Sequence, residues 1–457
     1  MNISLKKIAE LTGGECIGCG EAEISSVTTD TRDVKEGALF VALKGESFDG
    51  HDFAIDAIKK GAVCVLSERP VESFSEKIPI IKVESTYKAL LDFAKGYRDM
   101  LSPVVVGVTG SVGKTTTKDM IAAVLSQGMQ TAKTQGNLNN HIGVPKTIFS
   151  LEQSDKAAVI EMGMNHAGEI SVLTNIARPD VAVITNIGIS HLEFLKTREN
   201  ILKAKLEILE GMEQDAPVII NADNDILGAL KELGKRKIIR CSCEREDTDI
   251  YAKNIYEGTE GSRFEIYSGG ELLLNAYLPA IGRHNVGNAL LAAAVGIEAG
   301  LSPQQIAAGL SAYTPSGMRQ RVTKLCDITF IEDCYNASPT SMSASLSVLR
   351  SLSEGRAVAV LGDMLELGDI TKSAHIEIGK EAAEKCDFLV CCGNHAALMS
   401  KAAAEKGIKT AFFETREETV DFLLKELKKG DCVLFKASLS MQFEKIISSL
   451  YEKLKEC

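Results

Sequence analysis

The stretch at 103–117, PVVVGVTGSVGKTTT, constrains this chain more than any other. A β-branched apolar run gives way to a glycine turn and then to residues of helix-forming character. That order sets a buried strand, a tight turn and a helix in immediate succession. Gly107, Gly110 and Gly113 allow backbone angles that a side chain forbids, so successive N–H groups can turn inward around an anion. The following helix aims its positive end at the same point. Lys114 adds a mobile cation, and Thr115 a hydroxyl suited to a metal ion that accompanies a polyphosphate. The common phosphate loop, GxxxxGK[ST], would need its first glycine at Val108, so the spacing here is a variant. A plain glycine-rich turn is the alternative. The alignment of strand, turn and helix favours a nucleoside triphosphate site.

A chain of 457 residues has room for about two to four domains with real cores. Its 45% hydrophobic and 25% charged residues describe an ordinary soluble globular protein. The net charge of −11 argues against nucleic acid as the main partner, because a phosphate backbone wants a basic face. The opening MNISLKKIAELTGG lacks the apolar core of a signal peptide, and no run approaches the roughly 20 apolar residues of a membrane span. No membrane insertion is expected. Cys16 and Cys19 form one CxxC with no second pair at metal-ligand spacing, so structural zinc is not expected, and Cys391 and Cys392 read as core residues. Twelve cysteines without a pairing pattern point to unpaired thiols in a reducing cytoplasm.

The chain divides into three α/β regions. Residues 1–85 hold short apolar segments between glycines, with strands expected at 24–32 and 38–43 and a helix at 52–61. There DTR (30–32) and KGESFDGHDF (44–53) are either turn chemistry or a ligand loop. A helix at 86–101 leads into residues 86–314, where strands at 104–108, 157–162, 181–186 and 217–221 alternate with helices. Such continuous apolar runs argue for a parallel sheet covered on both faces. Residues 250–280 alternate around glycine pairs like an antiparallel hairpin, and 285–299 reads as an alanine-rich helix. In 315–457 strands at 328–333, 357–363, 388–392, 410–413 and 432–436 alternate with helices near 341–353, 372–385, 416–428 and 441–455. That suffices for a Rossmann-like sheet, although no GxGxxG follows a strand there and a dinucleotide is not indicated.

Ligands of open parallel sheets gather at the carboxyl ends of the strands. Glu161 ends the second central strand, and Asn186 and then His191 follow the third. A carboxylate and an imidazole near Thr115 suit a magnesium ion shared with phosphate. His191 alone also reads as a satisfied loop histidine, whereas a carboxylate ending an apolar strand is costly without a partner. Lys205, in a helical stretch, reads as a solvated cation with no metal role. Asn285 and Asn288 carry amides suited to a purine edge, with helix capping the competing account of Asn285. Asp333 and Asn336 end the first strand of the last region, and Arg319 precedes it, within reach of phosphates held by the central region. Together these groups suggest a cleft closed by domain movement. No Ser–His–Asp or Cys–His nucleophile is evident, and no NKxD of the GTPase type.

Taken together, the motifs resemble the Mur ligases, ATP-dependent enzymes that add amino acids to the UDP-linked peptidoglycan precursor. The resemblance extends over all three regions. TGSVGKTTT is similar to the family's phosphate loop, TGxxGKT, which accounts for the variant spacing. KTQGNLNNHIGVP (133–145), EMGMNHAGEI (161–170), DCYNASPTSM (333–342) and LGDMLELG (361–368) resemble the branch that joins D-alanyl-D-alanine to UDP-N-acetylmuramoyl-tripeptide. The segments DTR and GESFDGHDF are similar to the uridine-nucleotide domain of that branch and of its neighbour, which adds the third amino acid.

The resemblance implies a small N-terminal α/β substrate domain (1–85), a central parallel-sheet P-loop ATPase domain (86–314) and a C-terminal Rossmann-like α/β domain (315–457). It implies ATP and Mg2+, with Gly110, Ser111, Val112, Gly113, Lys114, Thr115 and Thr116 around the phosphates. Thr115 and Glu161 would hold one magnesium and His191 a second. Lys205 matches a lysine that carries a carbamate from carbon dioxide, which turns a cation into an anion. Asn288, Asn336 and Arg319 would contact the nucleotide, with Asp333 near the ribose. Thr31, Arg32, Lys44 and His51 would lie near the uridine-nucleotide end, and Asn137, Asn139 and Asn140 would face the sugar and peptide. A cytoplasmic monomer is expected. One departure stands at 436–446, KASLSMQFEKI, where Ala437 and Leu439 replace the glycine and cation of the family's KGSR. The rival readings are a ligase of the same superfamily adding another amino acid, or glutamates to folate, and a P-loop binding protein that performs no ligation.

Overall fold

A computed structural model of the chain describes residues 1–71, 79–190 and 192–455. The run after Pro103 forms the strand Val104–Thr109, buried at all but its first residue. Ala157–Glu161 and Val181–Ile184 flank it in parallel. Strands without polar alternation must be covered on both faces, and the chain supplies helices for each. The full central sheet has nine strands. The parallel run extends from Thr131–Lys133 at one edge to Ile250–Gly258, and Gly261–Ser268 and Glu271–Leu278 then continue it in antiparallel fashion. The glycine-paired segment is thus a three-stranded meander that widens the parallel sheet.

On one face the phosphate-loop helix Lys114–Leu125 packs beside the alanine-rich helix Arg283–Glu298. Small residues let the helices approach. A Cβ on Gly296 would stand 2.8 Å from Cγ1 of Val124, and one on Gly309 only 2.4 Å from Cα of Val124. On the other face Thr86–Arg98 and Gly143–Phe149 bring Phe93 and Phe149 to 4.7 Å between ring centroids. Leu5 and Ile8 of the N-terminal region join that same core, so the first unit is seated on the second. Gly107 serves packing and not the anion turn. It lies inside the strand opposite Ile160 and Ala182, where a Cβ would meet Pro179 and Ile208 at 2.8 and 3.0 Å.

The N-terminal sheet has five strands, ordered Glu15–Ile17, Ile80–Lys82, Ala62–Ser67, Ala38–Val41, Ser26–Thr28. The strand expected at 24–32 is two short ones. Glu23–Ile24 pairs with Ile3–Ser4, and Ser26–Thr28 with Ala38–Val41. Ser25 divides them because its N–H and hydroxyl are spent on Gly37 O and Glu36 O. Cys16 and Cys19 are joined in a disulfide, which corrects the reading of wholly unpaired thiols. Among the described residues, nine further cysteines are free.

The C-terminal sheet has six strands, five of them parallel in the order Ile328–Glu332, Cys432–Lys436, Ala357–Gly362, Phe388–Cys392, Lys409–Phe413. An unexpected sixth, Arg321–Leu325, pairs antiparallel with the first through a two-residue turn. Cys326 and Asp327 both take positive φ there, 52° and 60°, without the glycine or asparagine that usually marks such a turn. A further helix, Ala396–Glu405, was also not expected. Its opening N–H groups are capped from another strand, since the Asp363 carboxylate accepts from Asn394, His395 and Ala396 at 2.7–2.9 Å. Among the described residues no helix is long and apolar enough to cross a membrane.

Candidate active site

The phosphate loop is built by strain that glycine absorbs. Gly110 and Gly113 take φ of 145° and 86°, and the helix begins at Lys114. A Cβ on Gly110 would stand 2.0 Å from Oγ1 of Thr185, so no side chain fits there. The end of the neighbouring strand fixes the turn. Oδ1 of Asn186 accepts from the backbone N–H groups of Ser111 and Val112 at 3.1 and 2.8 Å, and Oγ of Ser111 accepts from Gly188 N at 2.9 Å. Lys114 folds back to donate to the Gly110 carbonyl at 2.8 Å. Burial lowers the pKa of its ammonium and so does the Arg319 guanidinium, while Glu161 acts against both.

Glu161 closes the adjacent strand, opposite Val108, and is 2% exposed. Its Oε1 accepts from the Asn139 side-chain amide at 2.8 Å, and its backbone N–H donates to the Thr134 hydroxyl at 3.0 Å. Its Oε2 has no hydrogen-bond partner among the described residues. Its nearest cation is the Lys118 ammonium at 3.8 Å, beyond hydrogen-bond reach, so a metal ion would satisfy an oxygen that is otherwise costly to bury. Thr115 is buried at the head of the same loop. One carboxylate and one hydroxyl fit a magnesium ion that keeps waters and phosphate oxygens as its other ligands. They do not fit a dedicated all-protein metal cage, and no group of three or more His, Cys, Asp or Glu side chains able to hold a metal occurs among the described residues. His191 lies outside the described residues.

Lys205 overturns the solvated reading. It is fully buried, and its Nζ has no hydrogen-bond partner among the described residues. Burial, and after it the charge of Lys114, drives its pKa well below the ordinary lysine range, against the pull of Glu207, Glu169 and Glu161.

One cleft of about 670 Å³ gathers most of the expected nucleotide residues. The loop 111–116 lines it with Asn139, Asn140 and Glu161. Asn288 joins from the alanine-rich helix, and Arg319, Asp333 and Asn336 from the C-terminal side. The Arg319 guanidinium lies 3.8 Å from the ring centroid of Tyr335, a stacked cation–π contact. Asp333 accepts from Lys436 Nζ at 2.7 Å and from Ser345 Oγ at 2.5 Å. Asn336 turns its Oδ1 to the Ala337 N–H. Asn285 lines the cleft but is not the helix cap. Its side-chain amide donates to Ile281 O and to Oε1 of Gln320, both at 2.8 Å, and Gly282 caps the helix instead.

The expected substrate residues do not all reach the cleft. Asn140 lines it, with Oδ1 accepting from Ile142 N and Gly143 N at the start of the helix Gly143–Phe149, whereas Asn137 is exposed and is not among the lining residues. Arg32 forks onto Asp30 at 2.6–3.1 Å, and that pair holds the Asp30 carboxyl at about 2. The Thr31 carbonyl accepts from Lys60 Nζ. Lys44 is exposed and bridges to Asp49 along the backbone. His51 is buried with both ring nitrogens engaged, Nδ1 with Asp49 at 2.5 Å and Nε2 accepting from Glu68 N at 3.0 Å. At the departure from KGSR, Ala437 is buried against Gly362, where no larger residue fits, and Leu439 is half exposed.

Sequence reasoning passed over Lys436, which lines the cleft on Asp333, and Lys118, buried behind Glu161. The signal for Lys118 was its spacing, one helical turn after Thr115 and on the same side of the helix. Lys436, at the end of a buried strand, carried the same warning as Glu161.

Three family models match the chain: "Mur ligase family, catalytic domain" over residues 23–98, "Mur ligase middle domain" over 108–296 and "Mur ligase, glutamate ligase domain" over 318–439. The UDP-N-acetylmuramoyl-tripeptide–D-alanyl-D-alanine ligase of Bacillus subtilis is 39% identical over 98% of this chain and 98% of its own. That of Escherichia coli is 36% identical over 99% of each. A crystal structure of MurF from Acinetobacter baumannii superposes with a TM-score of 0.90 at 32% identity, covering 99% of both chains. The MurF ligase of Thermotoga maritima in complex with ADP gives 0.82 at 30% identity, over 94% of this chain and 98% of that one.

Proposed function

The chain belongs to the Mur ligase family, and from that premise we infer that it is the ATP-dependent ligase that joins D-alanyl-D-alanine to UDP-N-acetylmuramoyl-tripeptide in peptidoglycan precursor synthesis. The observation that carries the reading is the single cleft in which a phosphate loop, a buried carboxylate with an orphaned oxygen and cations from two domains meet. We place the domain boundaries near 85 and 314, and the reaction in the cytoplasm in a monomeric enzyme.

A carboxylate and an amine do not condense at neutral pH without activation. The terminal carboxylate of the tripeptide attacks the γ-phosphorus of ATP, an O–P bond forms, the bond to the β-phosphate oxygen breaks, and ADP leaves. The dipeptide amine then attacks the acyl carbon, the C–O bond to phosphate breaks, and the amine gives up its proton. This route requires no nucleophile from the chain, so its part is positioning and charge neutralisation. Lys114 and the loop amides hold the β- and γ-phosphates. Arg319 reaches them from the C-terminal side, Asn288 and Asn336 hold the nucleoside and Asp333 the ribose end. Thr115 and Glu161 hold magnesium, which neutralises phosphate charge when bound, and His191 is proposed to help hold a second ion. Thr31, Arg32, Lys44 and the loop of His51 serve the uridine end, and Asn137, Asn139 and Asn140 the sugar and peptide.

Lys205 is proposed to be carbamoylated. Its burial and depressed pKa favour the neutral amine, which would attack carbon dioxide, form an N–C bond and lose a proton. The resulting anion would face the Lys114 cation as well as Glu207, Glu169 and Glu161, carboxylates whose charge a bound magnesium would offset. The activation step is tested by labelling the tripeptide carboxylate with oxygen-18. One labelled oxygen must appear in the released phosphate, and unlabelled phosphate would sink the acyl-phosphate route.

A further inference from the structure

Behind Glu161, away from the cleft, stands a lysine that neither the mechanism nor the family resemblance uses. Lys118 is 2% exposed on the phosphate-loop helix. Its Nζ donates to the Thr134 carbonyl at 2.8 Å and lies 3.4 Å from Oδ1 of Asp119 and 3.8 Å from Oε2 of Glu161. Lys118 does not line the cleft, whereas Glu161 does. The charges around it balance. Asp119 is also paired with Lys133 at 2.7 Å and accepts from Ser316 Oγ at 2.5 Å, so Asp119 does not need Lys118 for neutralisation. Glu161 has no other cation at ion-pair distance among the described residues.

The spacing of this pair is its informative feature. At 3.8 Å the ammonium is too far to hydrogen-bond Oε2, yet in a buried site its charge still acts strongly on the carboxylate. Thr134 holds both partners, taking Lys118 on its carbonyl and the Glu161 N–H on its hydroxyl. The ammonium is therefore held just short of contact. A closer lysine would occupy the lone pairs that a metal needs. A missing one would leave the carboxylate free to turn, secured only by Asn139 on Oε1.

We propose that Lys118 is a positioning residue: held off by Thr134, it fixes the Glu161 carboxylate from behind, in the orientation that a magnesium ion at the cleft needs. The inference rests on the reading of Glu161 as a magnesium ligand. Lys118 itself touches neither nucleotide nor substrate.

The test is ADP binding to the full chain by calorimetry, in EDTA and in magnesium, for the wild type, Lys118→Met, Lys118→Gln, Glu161→Gln and the Lys118→Met/Glu161→Gln pair. The readout is the gain in ADP affinity that magnesium confers. The expected result is an unchanged affinity in EDTA and a gain cut by about tenfold or more in Lys118→Met, the usual effect of removing a partner that orients a metal ligand. Lys118→Gln keeps a donor for Thr134 without the charge and should lose the gain as well. It serves as the readable variant if the methionine does not fold. In the pair, Lys118→Met should add nothing to the loss caused by Glu161→Gln, because it acts through that residue. A full magnesium gain in folded Lys118→Met and Lys118→Gln, a larger gain in either, or losses that multiply in the pair would each overturn the proposal while leaving Glu161 in place. A full gain in Glu161→Gln would overturn the reading of Glu161, and this inference with it.

Discussion

The side-chain amide of Asn139 donates to Oε1 of Glu161 at 2.8 Å, so a loop expected to face the sugar and peptide is tied to the carboxylate beside the phosphates. Its neighbour Asn140 is spent on a helix start. On the proposed reading, the segment NLNN would couple the substrate side of the cleft to the metal side. Replacing Asn139 by alanine frees Oε1 and lets the carboxylate turn. The expected outcome is a fall in kcat/KM of roughly ten- to a hundredfold with a higher magnesium requirement. Steady-state kinetics at varied magnesium checks it, and an unchanged magnesium requirement would count against the coupling.

Lys114→Ala should remove ATP turnover, by at least about a thousandfold, since it deletes the one mobile cation of the loop. The helix it begins packs through Met120, Ile121 and Val124, so the far-ultraviolet dichroism and melting temperature should stay near those of the wild type. Wild-type-like turnover would sink the assignment of the phosphate site.

Lys205 should take up carbon dioxide. Enzyme equilibrated with carbon-13-labelled bicarbonate is expected to show a carbamate carbonyl resonance that Lys205→Met lacks, together with loss of activity in that variant. A wild-type spectrum without the resonance would leave a buried neutral amine as the final state.

His375 gives a pH dependence of stability. It is fully buried, its Nδ1 donates to the Thr371 carbonyl at 2.7 Å, and its Nε2 accepts from Met364 N at 3.0 Å. The contact at Nε2 needs the neutral ring, and burial moves its pKa below the ordinary histidine value, against the Thr371 hydrogen bond, which raises it. Between that lowered pKa and about 6.5, the unfolded chain binds a proton that the folded one refuses. This residue therefore lowers the unfolding free energy as pH falls from about 6.5, and contributes no slope above it. Urea unfolding from pH 8 to pH 5 should show a shallower decline in His375→Asn than in the wild type. Equal slopes would contradict the assignment.

Much of this was legible in the sequence. The parallel core of the central sheet and the five parallel C-terminal strands follow from apolar runs and glycine punctuation, which local physics dictates, whereas the hairpin expected over 250–280 is a meander of three strands. The placing of loop 111–116, Glu161 and Asp333 followed from putting ligands at strand ends, whereas Asn288, Arg319 and Asn336 were expected there from the position of their motifs at the domain junctions and from the family resemblance. What escaped depends on partners distant in sequence. The helix Ala396–Glu405 is capped by Asp363, which no local pattern announces. The strand Arg321–Leu325 turns at Cys326–Asp327 without a turn signal. Gly107 proved to be a packing glycine because Pro179 and Ile208 lie against it. The burial of Lys205 is a tertiary fact, since its helix has the charged composition of a solvated one.

The central claim is ligation of a dipeptide to the tripeptide precursor. The most direct measurement is phosphate release from ATP and magnesium with UDP-N-acetylmuramoyl-tripeptide, with and without D-alanyl-D-alanine, with the peptide product followed by mass. Release that needs both substrates, and a product heavier by one dipeptide less water, is the result predicted here. Release with neither, or a product formed only with a different amino acid, would contradict it.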